Sequence, residues 1–222
     1  MSNVRRRDFV VGLSAAGAVT AVKAQPGITV DRFGQGGGSR PTIILLYGSD
    51  GLTNSGRYEF AAQTIVSAGY TVLVPRYFEA TGDSRARFSE IRTKFVVWRQ
   101  AIESILDEQP ASGRIGLVGF SLGGALALGL AARSTRIRAV VEYFGFQPAD
   151  LEDGNKLPPT LILHGDADRI VPASNAASIE RLIKSQGGLV DSHIYSGEGH
   201  GLSLVSLADA VSRTQNFLRR HV

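Results

Sequence analysis

Short apolar runs that alternate with longer segments of helical spacing constrain this chain more than any other feature of its sequence. Thr42–Tyr47 (TIILLY) is almost continuously apolar, which suits a strand buried on both faces and not one with a wet side. Tyr70–Val74, Arg114–Gly119, Ala139–Phe144, Thr160–His164 and Leu189–Tyr195 also read as strands, and Ile28–Phe33 reads as a short edge strand. Between them the spacing predicts helices over Gly56–Ser67, Ser84–Glu108, Leu122–Arg133, Ala173–Ser185 and Ser203–Arg219. In the longest, Phe88, Ile91, Phe95, Trp98, Ile102 and Ile105 recur at three and four residues, so Trp98 is expected in the core. Strands joined by crossover helices imply an α/β fold: a mostly parallel central sheet with helices on both faces. In such sheets chemistry sits on the loops at the carboxyl ends of the strands.

Charge and cysteine content narrow the function classes. The formal net charge of +4 raises the question of a nucleic-acid partner. Residues 1–24, however, carry Arg5, Arg6, Arg7 and Lys23 against Asp8, which leaves only +1 on the rest and no basic run with interleaved aromatics. No nucleic-acid partner is expected. The absence of cysteine excludes disulfides, thiolate metal sites, a lipoprotein anchor and a cysteine nucleophile.

The N-terminal residues read as an address. A basic head is followed by the mild apolar run Val10–Val22, shorter than the ~20 residues a spanning helix needs, and then by Val22-Lys23-Ala24, a small-x-small cleavage pattern. Arg6-Arg7 followed by Asp8 and Phe9 resembles a twin-arginine export signal. The expectation is a signal peptide over 1–24, a single domain over 25–222, export machinery as a partner of the precursor, and a bacterial periplasmic location.

Three loops then offer a nucleophile, an acid and a base. Gly119-Phe120-Ser121-Leu122-Gly123 follows a strand and opens a helix. This G-x-S-x-G arrangement is a nucleophile elbow: the serine stands on a sharp turn, and glycines two residues to either side avoid collisions. The loop after Thr160–His164 holds two aspartates, Asp166 and Asp168, of which Asp166 suits a turn-forming use. Of the four histidines, His164 ends a strand, His193 lies within one and His221 adjoins the C-terminus. His200 alone lies in a glycine-rich loop past the last strand, where the chain order Ser, Asp, His puts the base. The N–H of Leu122 is the expected first oxyanion donor, and that of Ser49, or Gly48 if the register slips by one, the second.

These motifs resemble those of the dienelactone hydrolase family of α/β-hydrolases. The resemblance covers nearly all of residues 42–222 and rests on GFSLGG at 119–124, YFG at 143–145, HGDADRIVP at 164–172 and GEGHG at 197–201. It implies an α/β-hydrolase fold and a triad of Ser121, Asp168 and His200, with Asp168 as the acid of the HGxxDxxVP pattern. The namesake enzymes use a cysteine, and a glutamate on the loop after the first buried strand. Here Ser121 is the nucleophile and that loop offers Tyr47, Ser49 and Asp50, so the chain is more similar to the serine-bearing, esterase-like members. A cofactor-free hydrolase of small carboxylic esters or lactones is implied. A peptidase or acyltransferase on the same scaffold is the alternative, and an inactive binding relative the third reading.

Two further residues are candidates for substrate contact. Tyr47 lies on the loop after the first buried strand. Arg76 ends another strand and could hold a substrate carboxylate by paired hydrogen bonds, or simply form a surface salt bridge. The stretch between Gly145 and Pro159, where larger relatives insert a cap, is short and polar, so no cap domain is expected. No cluster with metal-ligand spacing is found, and neither a metal nor a cofactor is expected.

Overall fold

The computed structural model describes residues 20–23, 27–34, 40–53, 55–149, 151 and 156–222. Of the expected signal segment, all but 20–23 lies outside the described residues. Eight strands form one sheet: β1 (Thr20–Lys23), β2 (Thr29–Phe33), β3 (Thr42–Leu46), β4 (Thr71–Pro75), β5 (Ile115–Phe120), β6 (Ile137–Tyr143), β7 (Thr160–Gly165) and β8 (Val190–Tyr195), in the order β1-β2-β4-β3-β5-β6-β7-β8. β1 and β2 pair antiparallel at one edge, and β2 joins β4 antiparallel; from β4 to β8 every pairing is parallel. β2 is therefore not an edge strand as the sequence suggested, because β1 covers it.

The strands at the centre are the ones with unbroken apolar runs. Ile43 to Leu46 are all inaccessible to solvent, as are Val140, Val141, Ile162 and Leu163. Five helices cover the sheet: α1 (Ser55–Ser67), α2 (Phe88–Asp107), α3 (Leu122–Ala131), α4 (Ser174–Ser185) and α5 (Leu204–His221). A Cβ on Gly116 of β5 would meet Leu218 and Val222 at the end of α5, whereas one on Gly119 would meet Gly123 of α3. Side chains an odd number of residues apart point to opposite faces of a strand, so α5 and α3 lie on opposite sides of the sheet.

The long helix departs from its expected start. It begins at Phe88, not Ser84, because the Ala86 N–H is donated to Ser49 O at 2.8 Å and the 84–87 segment is drawn over the loop after β3. A Cβ on Gly51 would lie 2.0 Å from Ser84 O, so this approach is possible only because residue 51 is glycine. Phe88, read as part of the buried stripe, is instead 69% exposed at the first helical position. Trp98 is buried as expected and donates its indole N–H to Thr81 Oγ1 at 2.7 Å.

Candidate active site

At the carboxyl end of β5 the chain turns into α3 through Ser121, whose φ of 54° and ψ of −117° are strained for a residue with a side chain. The conformation is held from several directions. The Ser121 N–H is donated to Tyr143 O at 2.7 Å, and Ser121 O accepts from Gly124 and Ala125 in the first turn of α3. Glycine is required on both sides: a Cβ at 119 would lie 2.2 Å from Gly123 O, and one at 123 would lie 2.2 Å from Leu46 O.

His200 arrives from the loop after β8, with Nε2 2.8 Å from Ser121 Oγ. Its Nδ1 is 2.7 Å from Asp168 Oδ2, on the loop after β7. An ionised carboxylate only accepts, so Nδ1 carries the proton and Nε2 is left to accept from the serine hydroxyl. Asp168 Oδ1 accepts the N–H groups of Ile170 and Val171 at 2.8 and 2.9 Å. Burial alone would raise the Asp168 pKa. The hydrogen bond from His200 and the N–H groups of Val171 and Ile170 outweigh it, so the carboxyl lies below its usual range.

The two loops are locked together by tight backbone approach. A Cβ on Gly165 would lie 2.2 Å from Glu198 O, and that same carbonyl accepts the Ala167 N–H at 2.9 Å. Asp166, the competing aspartate, accepts the Gly197 N–H at 2.7 Å, so it braces the histidine loop and does not touch the ring. The Glu198 carboxylate accepts from the Ser203 N–H, which ties the far side of the loop to the start of α5. His164 is fully buried, with Nε2 2.8 Å from Val171 O and 3.4 Å from Asp168 Oδ2. Burial lowers its pKa, and a carbonyl can only accept, so it serves as a neutral N–H donor behind the acid loop.

The loop after β3 borders the same cleft as Ser121. The Gly48 N–H is donated to Tyr58 Oη at 2.9 Å, and that hydroxyl in turn donates to Asp50 Oδ1 at 2.8 Å. The Gly48 N–H is thus engaged, while Ser49 lines the space beside Ser121 and Leu122 takes the first position of α3, where helix N–H groups have no intrahelical partner. Tyr58 has no local sequence signal for this role; its position on α1 marks it only as part of a buried stripe.

Two sequence candidates are not brought to the site. Tyr47 is 2% exposed, stacks on Tyr77 with ring centres 4.2 Å apart, and accepts the Phe78 N–H through its hydroxyl at 3.1 Å. It is a core residue. Arg76 points towards β2, where both arms of its guanidinium reach Asp31, Nε to Oδ2 and Nη2 to Oδ1 at 3.0 Å each. It borders a separate cavity with Asp31 and Phe33, so the salt bridge and not the substrate contact describes it. The sequence reading missed the walls around Ser121: Phe60, Phe88, Phe120, Phe144, Ile170 and Leu207 come from six separate segments and converge only in the fold. Among the described residues no group of acidic side chains, histidines or cysteines is placed to hold a metal ion.

Residues 35–213 match the dienelactone hydrolase family. A carboxymethylenebutenolidase homolog from Xenopus tropicalis is 27% identical over 138 residues, a stretch covering 56% of this chain and 55% of that protein. The match thus spans about half the length of this curated relative. Among solved structures, a dienelactone hydrolase-like promiscuous phosphotriesterase from metagenomic libraries superposes with a TM-score of 0.74 at 17% identity, covering 93% of this chain and all of the other. Esterase PE8 superposes with a TM-score of 0.60 at 22% identity, over 83% of this chain and 94% of the esterase. At those identities the structural likenesses establish the α/β-hydrolase fold, and the family match adds the lineage: this chain belongs to the dienelactone hydrolase family.

Proposed function

We propose that this protein hydrolyses small carboxylic esters or lactones through an acyl-enzyme on Ser121. The observation that carries the reading is the unbroken chain from Ser121 Oγ to His200 Nε2 at 2.8 Å and from His200 Nδ1 to Asp168 Oδ2 at 2.7 Å, with each residue on a different loop. The dienelactone hydrolase family match and the fold shared with esterase PE8 support the same class.

The chemistry balances with these groups alone. His200 Nε2 takes the Ser121 proton as Oγ attacks the carbonyl carbon, and the oxyanion settles against the N–H groups of Leu122 and Ser49. The imidazolium, held by Asp168, then returns the proton to the departing alkoxide, leaving the acyl group on Ser121. Water repeats the cycle: His200 removes its proton, the acyl group leaves as the acid, and Ser121 is restored. A fluorophosphonate should label wild type at Ser121, and p-nitrophenyl esters and simple lactones should be turned over. Unlabelled Ser121, or a Ser121→Ala variant with full activity, defeats the proposal.

Export is part of the same reading. Arg6-Arg7 ahead of Val10–Val22 support a twin-arginine leader cut after Ala24, with a mature protein in the bacterial periplasm. Such a cut would remove β1 and leave the outer edge of β2 unpaired. Sequencing the N-terminus of the fractionated protein tests this: Gln25 as the first residue supports it, and a chain that retains Thr20–Lys23 rejects it.

A further inference from the structure

Ser121 opens onto two clefts. One, of about 550 Å3, holds His200 and is walled by Tyr58, Phe60 and Ala61 of α1 and by Leu207 and Val211 of α5. The other, of about 610 Å3, holds Leu122 and is walled by Ile91, Phe95 and Val96 of α2, by Phe146 and Ala149 after β6, and by Pro172 after β7. Ser49, Phe88 and Ile170 border both, so the clefts meet over the serine. Phe88 is 69% and Ile170 55% exposed, which places two large apolar side chains at the junction.

We infer that the His200 cleft receives the alcohol part of the substrate and the Leu122 cleft its acyl part, so that the preferred esters carry apolar groups on both sides of the carbonyl. The inference rests on the proposed acyl-enzyme mechanism and follows from where the four bonds of the tetrahedral carbon must point. One goes to Ser121 Oγ. The oxyanion is fixed by the N–H groups of Ser49 and Leu122. The leaving oxygen must come within hydrogen-bond reach of His200 Nε2, because that atom returns the proton, so the alcohol departs on the His200 side. The acyl chain takes the remaining direction, away from His200 and into the cleft of Leu122, Phe95 and Val96. Both clefts are lined mainly by aromatic and aliphatic side chains, with the Asp50–Arg57 ion pair in the first and Arg92 in the second, so most of the contacts on offer suit apolar chains or rings.

The two sides can be filled separately. Ala61 is a partly exposed position on α1 and Val96 an exposed one on α2, and both lie outside the Ser121–His200–Asp168 cluster. In Ala61→Phe the ratio of kcat/KM for hexyl over ethyl acetate should fall about tenfold, while the ratio for ethyl hexanoate over ethyl acetate holds. Val96→Trp should give the mirror image. Single-turnover measurements add a second readout, since the alcohol has left before deacylation. Val96→Trp should slow breakdown of the hexanoyl-enzyme relative to the acetyl-enzyme, and Ala61→Phe should not. Val211→Phe and Ala149→Phe repeat the pair from other elements if either first variant fails to fold. An exchanged pattern, or four variants blind to both chain lengths, overturns the assignment while Ser121 remains labelled by fluorophosphonate. Wild type that is neither labelled nor active defeats the hydrolase reading itself, and this inference with it.

Discussion

The loops that follow β5 and β4 leave the same end of the parallel sheet, and each carries a side chain that the sequence marks for chemistry. Ser121 arrives at the site, whereas Arg76 turns away to Asp31. What places Ser121 is backbone: a strained turn, two glycines with no room for a Cβ, and a hydrogen bond from its own N–H to β6. What places Arg76 is a long flexible side chain that can reach any nearby carboxylate, and the antiparallel neighbour β2 offers one. Residues aimed by main-chain geometry can be read from a motif; residues aimed by side-chain freedom depend on what stands beside them in space.

The largest effect should come from the backbone-aimed side. Ser121→Ala and His200→Ala are each expected to lower kcat by up to about a million-fold, with the double variant barely worse than either single one, since both serve one proton transfer. Additive losses in steady-state kinetics would separate the two residues. On the acid loop, Asp168→Asn should cost about ten-thousand-fold in kcat, because it upsets the tautomer that His200 needs. Asp166→Asn keeps an oxygen for the Gly197 N–H and should lose far less. If Asp166→Asn proves the more crippled of the two, the acid has been misassigned.

Stability probes the same contrast. Gly123→Ala would set a Cβ 2.2 Å from Leu46 O and 2.5 Å from Tyr47 O, backbone atoms at the carboxyl end of β3 that are buried and have little room to move. A loss of about 3 kcal/mol in urea unfolding is expected; a variant of unchanged midpoint would show that the elbow tolerates what its geometry forbids.

Between these extremes stands β6, where Glu142 is fully buried beside the elbow helix. Its Oε2 accepts the Gly145 N–H at 2.6 Å, Oε1 finds no partner among the described residues, and burial pushes its pKa up to about 8. An unfolded glutamate titrates near ~4.3, so between that pH and about 8 the native protein holds a proton that the unfolded chain has released. Stability should therefore fall as pH rises through this window, by at most ~1.4 kcal/mol per unit, and level off above it. Glu142→Gln supplies a neutral side chain of the same shape and should flatten that slope in urea unfolding from pH 5 to 8. An identical slope in the variant would show that the carboxyl is not the source.

The strand and helix order was legible because each run is set off by glycine, proline or polar punctuation, and the meeting of Ser121, His200 and Asp168 because their loops are held by close backbone contacts that demand glycine. β1 was not, since Thr20–Lys23 is indistinguishable by composition from the apolar run before it. Nor was the start of α2: the hydrogen bond from Ala86 to Ser49 is long-range, and Phe88 fits the helical stripe whether buried or exposed. The cleft walls were illegible for a similar reason. Phe60, Phe88 and Ile170 belong to separate periodic patterns, and only the fold brings them to the rim of one serine.

The smallest effect is expected at Arg76. Its pair with Asp31 joins β4 to β2, but the arginine side chain is 44% exposed and the aspartate 12%. A paired fork in that position is screened by water on one side, so Arg76→Ala should cost about 1 kcal/mol or less, a Tm shift of a few degrees that shrinks further in high salt. The cavity that Arg76 borders does not include Ser121 or His200. Accordingly kcat/KM should stay within about twofold of wild type on neutral esters, since nothing in transition-state binding is removed. The informative measurement compares an ester bearing a carboxylate with its uncharged analogue. If both respond equally to Arg76→Ala, the guanidinium belongs to the junction of β4 with β2, as its geometry says. A loss confined to the acidic ester and larger than about tenfold would mean that Arg76 exchanges Asp31 for substrate during turnover, and the contrast between backbone-aimed and freely aimed side chains would have to be redrawn with Arg76 on the other side.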